Sequence, residues 1–342
     1  MKLKWRVIYF MKKNIISAVL ICSLLAISTG VIYTIKAKEN ISIPASETDN
    51  SSEFNNSSVI VSEEELVQEA IQIDPQLVAE YSAITKDNIY HKMLNTVDFF
   101  NTARGIINAE SIVSEVSFDV DMSSAKSYVK SVGKEYNTDL EFYTFDGKTY
   151  RFDNVEKTKQ VSIAQDSKVE LARTEIELSA QNATADVNLD QDSTRVVQSG
   201  EYNTYYYRAD PTNSYVASSL CLFPQELTFG YLSNKNLWDI TGQVTYEGRN
   251  CVIIEGTADP SYGDRFDVAT FTMYVDSETG ILLKYDGYND EGIRTDYIEV
   301  TDFSLTPKLT KNSTFTLDKY DSYTWLNTEE ELQEIEAYVN SK

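Results

Sequence analysis

Residues 269–304 read ATFTMYVDSETGILLKYDGYNDEGIRTDYIEVTDFS, and their periodicity decides the fold class. Side chains along a strand point alternately to opposite faces. Ala269, Phe271, Met273 and Val275 therefore share one face, and Thr270, Thr272 and Tyr274 the other. Residues 276–280 and 289–292 carry turn chemistry, because Asp and Asn side chains bond the nearby backbone and Gly takes positive φ. The stretch predicts antiparallel strands over 266–275, 281–289 and 293–304. A strand over 243–247, a turn at Glu247-Gly248 and a strand over 250–256 precede them and extend the meander.

Strand patterns also run over 112–121, 126–136, 139–145 and 148–153, with a hairpin signal at Asp146-Gly147. Residues 155–200 are more polar, either further strands or a long loop. Strand signals return at Tyr202 and again over 213–220. A short helix is expected from Pro224, since Pro fits a first helical turn. Earlier, Ser62 and Glu65 have capping-box spacing and open a helix that Asp74-Pro75 ends. Thr85 or Asp87 opens a second helix, expected to run to about Ala103 with Ile89, Met93, Leu94, Val97 and Phe100 on its apolar face and Gly105 as its stop. Thr328 and Glu331 repeat the capping box and open an acidic helix over 328–340. Helices first and many antiparallel strands after them mean α+β: helices packed on a large curved antiparallel sheet.

Charge divides the chain. Its 342 residues carry 30 basic and 53 acidic side chains, but residues 1–36 hold six basic residues and no acid. The rest then has 24 basic against 53 acidic residues, a formal charge of −29. Such an acidic body repels phosphate, which excludes a nucleic-acid partner. From Asn14 to Ile35 runs an uncharged stretch of 22 residues. As a helix it spans about 33 Å, enough for a hydrocarbon core. Five of the basic residues precede it, so the N-terminus stays cytoplasmic and the remainder lies outside. The reading is 1–13 as a cytoplasmic basic segment, 14–35 as a transmembrane anchor, 36–61 as a flexible stalk and 62–342 as an extracytoplasmic domain. A cleaved signal peptide ending near Ile27, with a secreted product, is the alternative.

The run Phe271-Thr272-Met273-Tyr274-Val275-Asp276, then Thr279-Gly280-Ile281-Leu282-Leu283-Lys284, resembles the hairpin of the LolA-like lipoprotein carriers and the related RseB-like periplasmic regulators. Residues 246–254 and 298–303 resemble the strands flanking it, so the resemblance covers about 244–304. It implies an incomplete antiparallel barrel wrapped over helices, with an apolar cavity between. It also implies binding of lipid or lipoprotein, or sensing of the envelope through a protein partner. A retained anchor departs from a shuttling carrier and favours a sensor, a scaffold or a local lipid-binding role.

Other constellations point elsewhere less strongly. Leu222, Phe223, Leu227, Phe229, Trp238, Phe271 and Met273 are candidates to line an apolar cavity, or else to fill the core. Cys221 and Cys251 either pair as a disulfide in an oxidising compartment or stay buried as free thiols. His91, the single histidine, lacks a nucleophile-elbow sequence to serve. Asp186, Asn188, Asp190 and Asp192 alternate as calcium ligands do, but Gln191 and Val197 stand where an EF-hand needs Gly and Glu. Asp286, Asp290, Glu291 and Asp296 cluster around one hairpin, as paired carboxylates of a glycosidase would. Tyrosine numbers 23, including Tyr205-Tyr206-Tyr207, and an aromatic sheet face would suit wall sugars or peptides. The expectation is a non-enzymatic, membrane-anchored binding protein. It needs no cofactor or metal, and its partners are the membrane, through its own anchor, and a hydrophobic ligand or an envelope protein. A structural or wall-binding protein is the alternative.

Overall fold

The computed structural model describes residues 73–112, 114–133, 137–164, 176–177, 192–199, 202–208, 210–214, 216–306 and 315–341. The anchor, the stalk, the helix expected at Ser62 and the acids Asp186 to Asp190 lie outside the described residues. Among the described residues no helix is long and apolar enough to cross a membrane.

Two short helices lead: α1 (Pro75–Glu80) and α2 (Lys86–Leu94). Asp74-Pro75 opens α1. The Asp74 side chain accepts from the Gln76 N–H, and Pro75 fills a position that needs no donor. Thr85 caps α2 by accepting from the Asn88 N–H. The helix stops at Leu94, well short of Ala103, and a 3-10 turn (Thr96–Asp98) leads into strand β1 (Thr102–Ala109). Ala103, Gly105, Ile107 and Ala109 are the buried positions of that strand. Their spacing of two competes with a helical reading of the same apolar residues, and pairing on both edges decides for the strand. Gly105 is therefore no helix stop; it lies mid-strand under the Phe118 ring.

The first meander continues with β2 (Glu115–Asp121), β3 (Lys126–Gly133), β4 (Thr138–Phe145), β5 (Lys148–Asp153) and β6 (Thr158–Ile163). Short strands follow as β7 (Ile176–Glu177), β8 (Val196–Ser199), β9 (Tyr202–Tyr205) and β10 (Tyr207–Arg208), with a 3-10 turn Asp192–Arg195 before β8. Residues read as a strand over 213–220 instead form most of α3 (Val216–Leu222), whose Ala217, Ser218, Cys221 and Leu222 are buried at helical spacing. Then come α4 (Gln225–Leu232) with Pro224 at its N-cap, β11 (Trp238–Tyr246), β12 (Arg249–Thr257), the single turn α5 (Pro260–Gly263), β13 (Thr270–Asp276), β14 (Leu282–Tyr288) and β15 (Arg294–Ser304). The chain ends with β16 (Thr324–Trp325) and α6 (Glu329–Asn340), whose Thr328–Glu331 capping box is complete.

Twelve strands form one unclosed sheet in the order β11-β12-β13-β14-β15-β1-β2-β3-β4-β5-β6-β16. Every neighbouring pair is antiparallel except β16 on β6. Strand β1 joins the two meanders, pairing β15 on one side and β2 on the other. One face carries the main core: Phe271, Met273 and Val275 with Leu283, Tyr285, Ile298 and Val300, packed against Ile89 and Met93 of α2 and Leu222 of α3. The alternation read from 269–275 is thus the real one.

The hairpin between β13 and β14 is tied to α2. Asp276 Oδ1 accepts from the N–H groups of Glu278 and Thr279, and Arg249 Nε donates to Asp276 Oδ2 at 2.5 Å. Lys92, 3% exposed, reaches under the turn and donates to the Ser277 carbonyl at 2.6 Å. Gly280 has φ +78°, and a Cβ there would stand 2.4 Å from the Lys92 carbonyl carbon.

The opposite face at β4 and β5 holds a second, aromatic core of Tyr143, Phe152 and Tyr320. Residues 315–325 cross it as a strap before adding to β6. Tyr320 stacks on Phe152 at 3.6 Å, and its hydroxyl donates to Glu141 at 2.7 Å. Much of the tyrosine in this part of the sheet is packing, not open surface.

Candidate functional site

A cleft of about 610 Å³ opens where α1, α2, α4 and α5 meet the segment from Asp192 to Tyr205. Its size falls in the range of ligand pockets. Its walls are aromatic rings with short polar side chains between them. From the α1–α2 side come Tyr81, Tyr90 and His91; from the far side come Tyr205, Phe229, Tyr231 and Tyr262. Asp87, Asp192 and Asp259 supply carboxylates, and Lys235 an ammonium. Val196 is the one aliphatic member.

The wall at His91 is rigidly built. Its ring stacks on Tyr81 at 3.9 Å and 7°, and Phe99 abuts both rings edge-on. His91 Nδ1 donates to Asp192 Oδ2 at 2.9 Å, since a carboxylate can only accept. Asn95 Nδ2 donates to Asp192 Oδ1 at 3.0 Å. Burial alone would push the Asp192 carboxyl up; the His91 and Asn95 hydrogen bonds and the Arg195 charge outweigh it and hold it below the ordinary range. Behind this wall Arg195 is fully buried, donating to the Leu94 and Tyr206 carbonyls and to Asn95 Oδ1. That guanidinium pins the 192–206 segment to the end of α2.

The floor continues into the core. Tyr285 donates to the Tyr231 hydroxyl at 2.7 Å. Asp296, on the core face of β15, bonds to Tyr285 in turn. Burial pushes the Asp296 carboxyl up to about 6, with help from the Glu110 charge. The fold therefore favours its neutral form. That stability is present below the ordinary carboxylate range and is lost as pH rises through about 6. A shift of about two units amounts to roughly 2–3 kcal/mol. Asp296→Asn is expected to raise the urea stability by about 2 kcal/mol at pH 8 and hardly at all at pH 4; an equal gain at both pH values would remove burial as the cause.

Most residues expected to line an apolar cavity are packed solid. Leu222, Trp238, Phe271 and Met273 are 0–2% exposed and belong to the main core, with Leu227 among them and Phe223 half-buried against it. Phe229 alone of the seven faces the cleft. Cys221 and Cys251 are separate, buried free thiols, not a disulfide; burial pushes the Cys251 thiol up to about 12 and the Cys221 thiol also upward. Asp286 pairs with Arg294 on the outer face of the sheet at 2.9 Å, whereas Asp296 points to the core face, so the hairpin carboxylates do not share a site. Asp192 serves the His91 wall, and among the described residues no cluster could hold a metal ion. Of the tyrosine triplet, Tyr205 lines the cleft, Tyr206 is buried and Tyr207 abuts Phe229.

Sequence reasoning missed Tyr81, Tyr90, Tyr262 and Lys235. They come from four separate segments, and no local spacing relates them. The one available signal was the concentration of Tyr, Asn and Ser at helix ends, which is common at loop-built binding sites.

No family model and no curated protein matches the chain. Solved structures similar to it include the Pseudomonas aeruginosa MucA/MucB complex (13% identity over 65% of this chain and 57% of that chain, TM-score 0.31). LprF from Mycobacterium bovis matches at 10% identity over 65% of this chain and 94% of that one, with TM-score 0.32. The Mycobacterium tuberculosis lipoprotein LppX matches at 10% identity over 70% of this chain and 100% of that one, with TM-score 0.30. The chain spans 60% of the length of a solved MucB chain that it also matches.

Proposed function

We propose that this is a non-enzymatic binding protein, tethered by residues 14–35 outside the cytoplasm, that holds a segment of a partner protein in the aromatic cleft. The stalk over 36–61 would lift the body off the membrane, in a sensing or scaffold role. The observation that carries this reading is the contrast between a filled sheet–helix core and an open cleft of rings, amides, hydroxyls and carboxylates. An acyl chain needs continuous apolar walls, and the apolar side chains that could provide them are spent on each other. Tyrosine with Asn and Ser supplies large, stiff contact area with adaptable hydrogen bonds, the chemistry of protein-binding loops.

The test combines topology and contents. Protease added to intact cells is expected to remove the body from the full-length protein, and lipid extracted from the purified protein is expected to be far below one per chain. A photo-crosslinker at Asn234, on the cleft, is expected to give one defined protein adduct that Ser261→Trp abolishes and that a crosslinker at Glu255, on the sheet, does not give. A body shielded from the protease, or a stoichiometric acyl lipid, would sink the reading.

A further inference from the structure

We propose that the cleft recognises a guanidinium or ammonium side chain on a basic segment of its partner, and that Lys235 holds that position whenever no partner's cation does. This rests on the cleft being the binding site. Lys235 Nζ lies 5.6 Å from the centre of the Tyr90 ring and pairs with Asp87. A cation over a ring face is attracted by the ring quadrupole. Other rings of the cleft are engaged in the same way by the chain's own cations. Arg195 lies over Phe229 at 5.4 Å, and Arg265 over Tyr262 at 5.3 Å. Three rings of the cleft, Tyr90, Phe229 and Tyr262, therefore already face a cation.

Lys235 differs from Arg195 in being displaceable. Arg195 is fully buried among its acceptors, whereas the Lys235 side chain is 47% exposed and that of Asp87 76% exposed. An exposed ion pair holds weakly, so a competing cation can take its place. The carboxylates on the cleft are Asp87, Asp259, whose Oδ1 also accepts from Ser261 at the start of α5, and Asp192, kept ionised by its hydrogen bonds to His91 and Asn95. At longer range the −29 charge of residues 37–342 draws basic segments in and turns acidic ones away.

Full-length protein in maltoside micelles, which carry no amine headgroup, would be titrated calorimetrically with Ac-Gly-Arg-Gly-Arg-Gly-amide. The same peptide with citrulline for arginine keeps the shape and removes the charge. Lys235→Met is expected to tighten the arginine peptide about twofold to fivefold, the size of one exposed ion pair, and Asp259→Asn to weaken it by a similar factor. Lys235→Gln is the second variant, and both should melt as the parent does because the site is exposed. Equal binding of the citrulline peptide would overturn the charge-based proposal while leaving the cleft as a binding site. Unchanged or weaker binding in Lys235→Met would overturn the stand-in role. No binding of either peptide to any variant would also overturn the proposal, and the crosslinking from Asn234 then decides the wider reading by itself. Preference for phosphocholine over the arginine peptide would overturn it in favour of a lipid headgroup.

Discussion

Glu141→Ala is expected to cost about 3–5 kcal/mol and to free the C-terminal strap. The carboxylate is 6% exposed and gathers donors from two parts of the chain. Its Oε2 accepts from the Tyr320 hydroxyl at 2.7 Å, the Tyr143 hydroxyl at 3.0 Å and Lys319 at 3.0 Å, and its Oε1 accepts from Asn154 at 2.8 Å. Removing the acceptor leaves buried donors unmatched, which costs about 1–3 kcal/mol for each and does not add fully. Burial alone would push the Glu141 carboxyl up; these hydrogen bonds outweigh it and hold it at about 2. Its pKa is depressed in the fold, so its contribution is present above the ordinary carboxylate range and is lost as pH falls through about 2. Urea unfolding at neutral pH measures the cost. Hydrogen exchange locates it: amides of 315–341 should lose protection first, and uniform loss over the sheet would refute the strap assignment.

Gly280→Ala is the second large effect, about 3–5 kcal/mol. Two costs combine there. An L-residue at φ +78° pays about 1–2 kcal/mol, and its Cβ would meet the Lys92 carbonyl carbon at 2.4 Å and oxygen at 2.6 Å. Those are backbone atoms of α2, so the helix itself must shift, and Ile89 and Met93 leave their seats in the core. Gly248 is the internal control. It has φ +73° with nothing within 4 Å of its would-be Cβ. Gly248→Ala should therefore cost about 1 kcal/mol. If thermal unfolding gave equal losses for the two variants, the close approach of hairpin and helix would not be what Gly280 serves.

The hairpin residues show how far local reading reaches. Asp276, Thr279 and Gly280 were recognisable as a turn, and the strands on either side lie within a few residues of where alternation put them. The second role of Gly280, making room for α2, has no local signature because Lys92 is 188 residues away. The errors have the same origin. Residues 102–109 carry apolar spacing that serves helix or strand, and partners β15 and β2, distant in sequence on one side, settle it. Residues 213–220 read as a strand, but 216–222 bury one helical face.

The candidate site follows suit. The seven apolar residues named as a cavity were correctly taken as buried-type side chains, but burial against each other and burial around a ligand look alike in a sequence. The cleft instead draws on Tyr81, Tyr90, Asp192, Lys235 and Tyr262, which lie far apart in the chain; Asp192 is brought to the end of α2, where Arg195 bonds the Leu94 carbonyl.

By itself, the order of residues determined the uncharged 14–35 stretch, the acidic body after it, the antiparallel meander over 243–304 and the capped helix at Thr328. Each is set by properties of neighbours: hydropathy, charge, a period of two, a side chain within reach of its own backbone. Tertiary structure alone decided that β1 joins the two meanders, that the expected cavity residues are core, and that a cleft of rings and carboxylates stands beside them. Those outcomes depend on contacts between segments far apart in the chain, where packing and burial outweigh local preference.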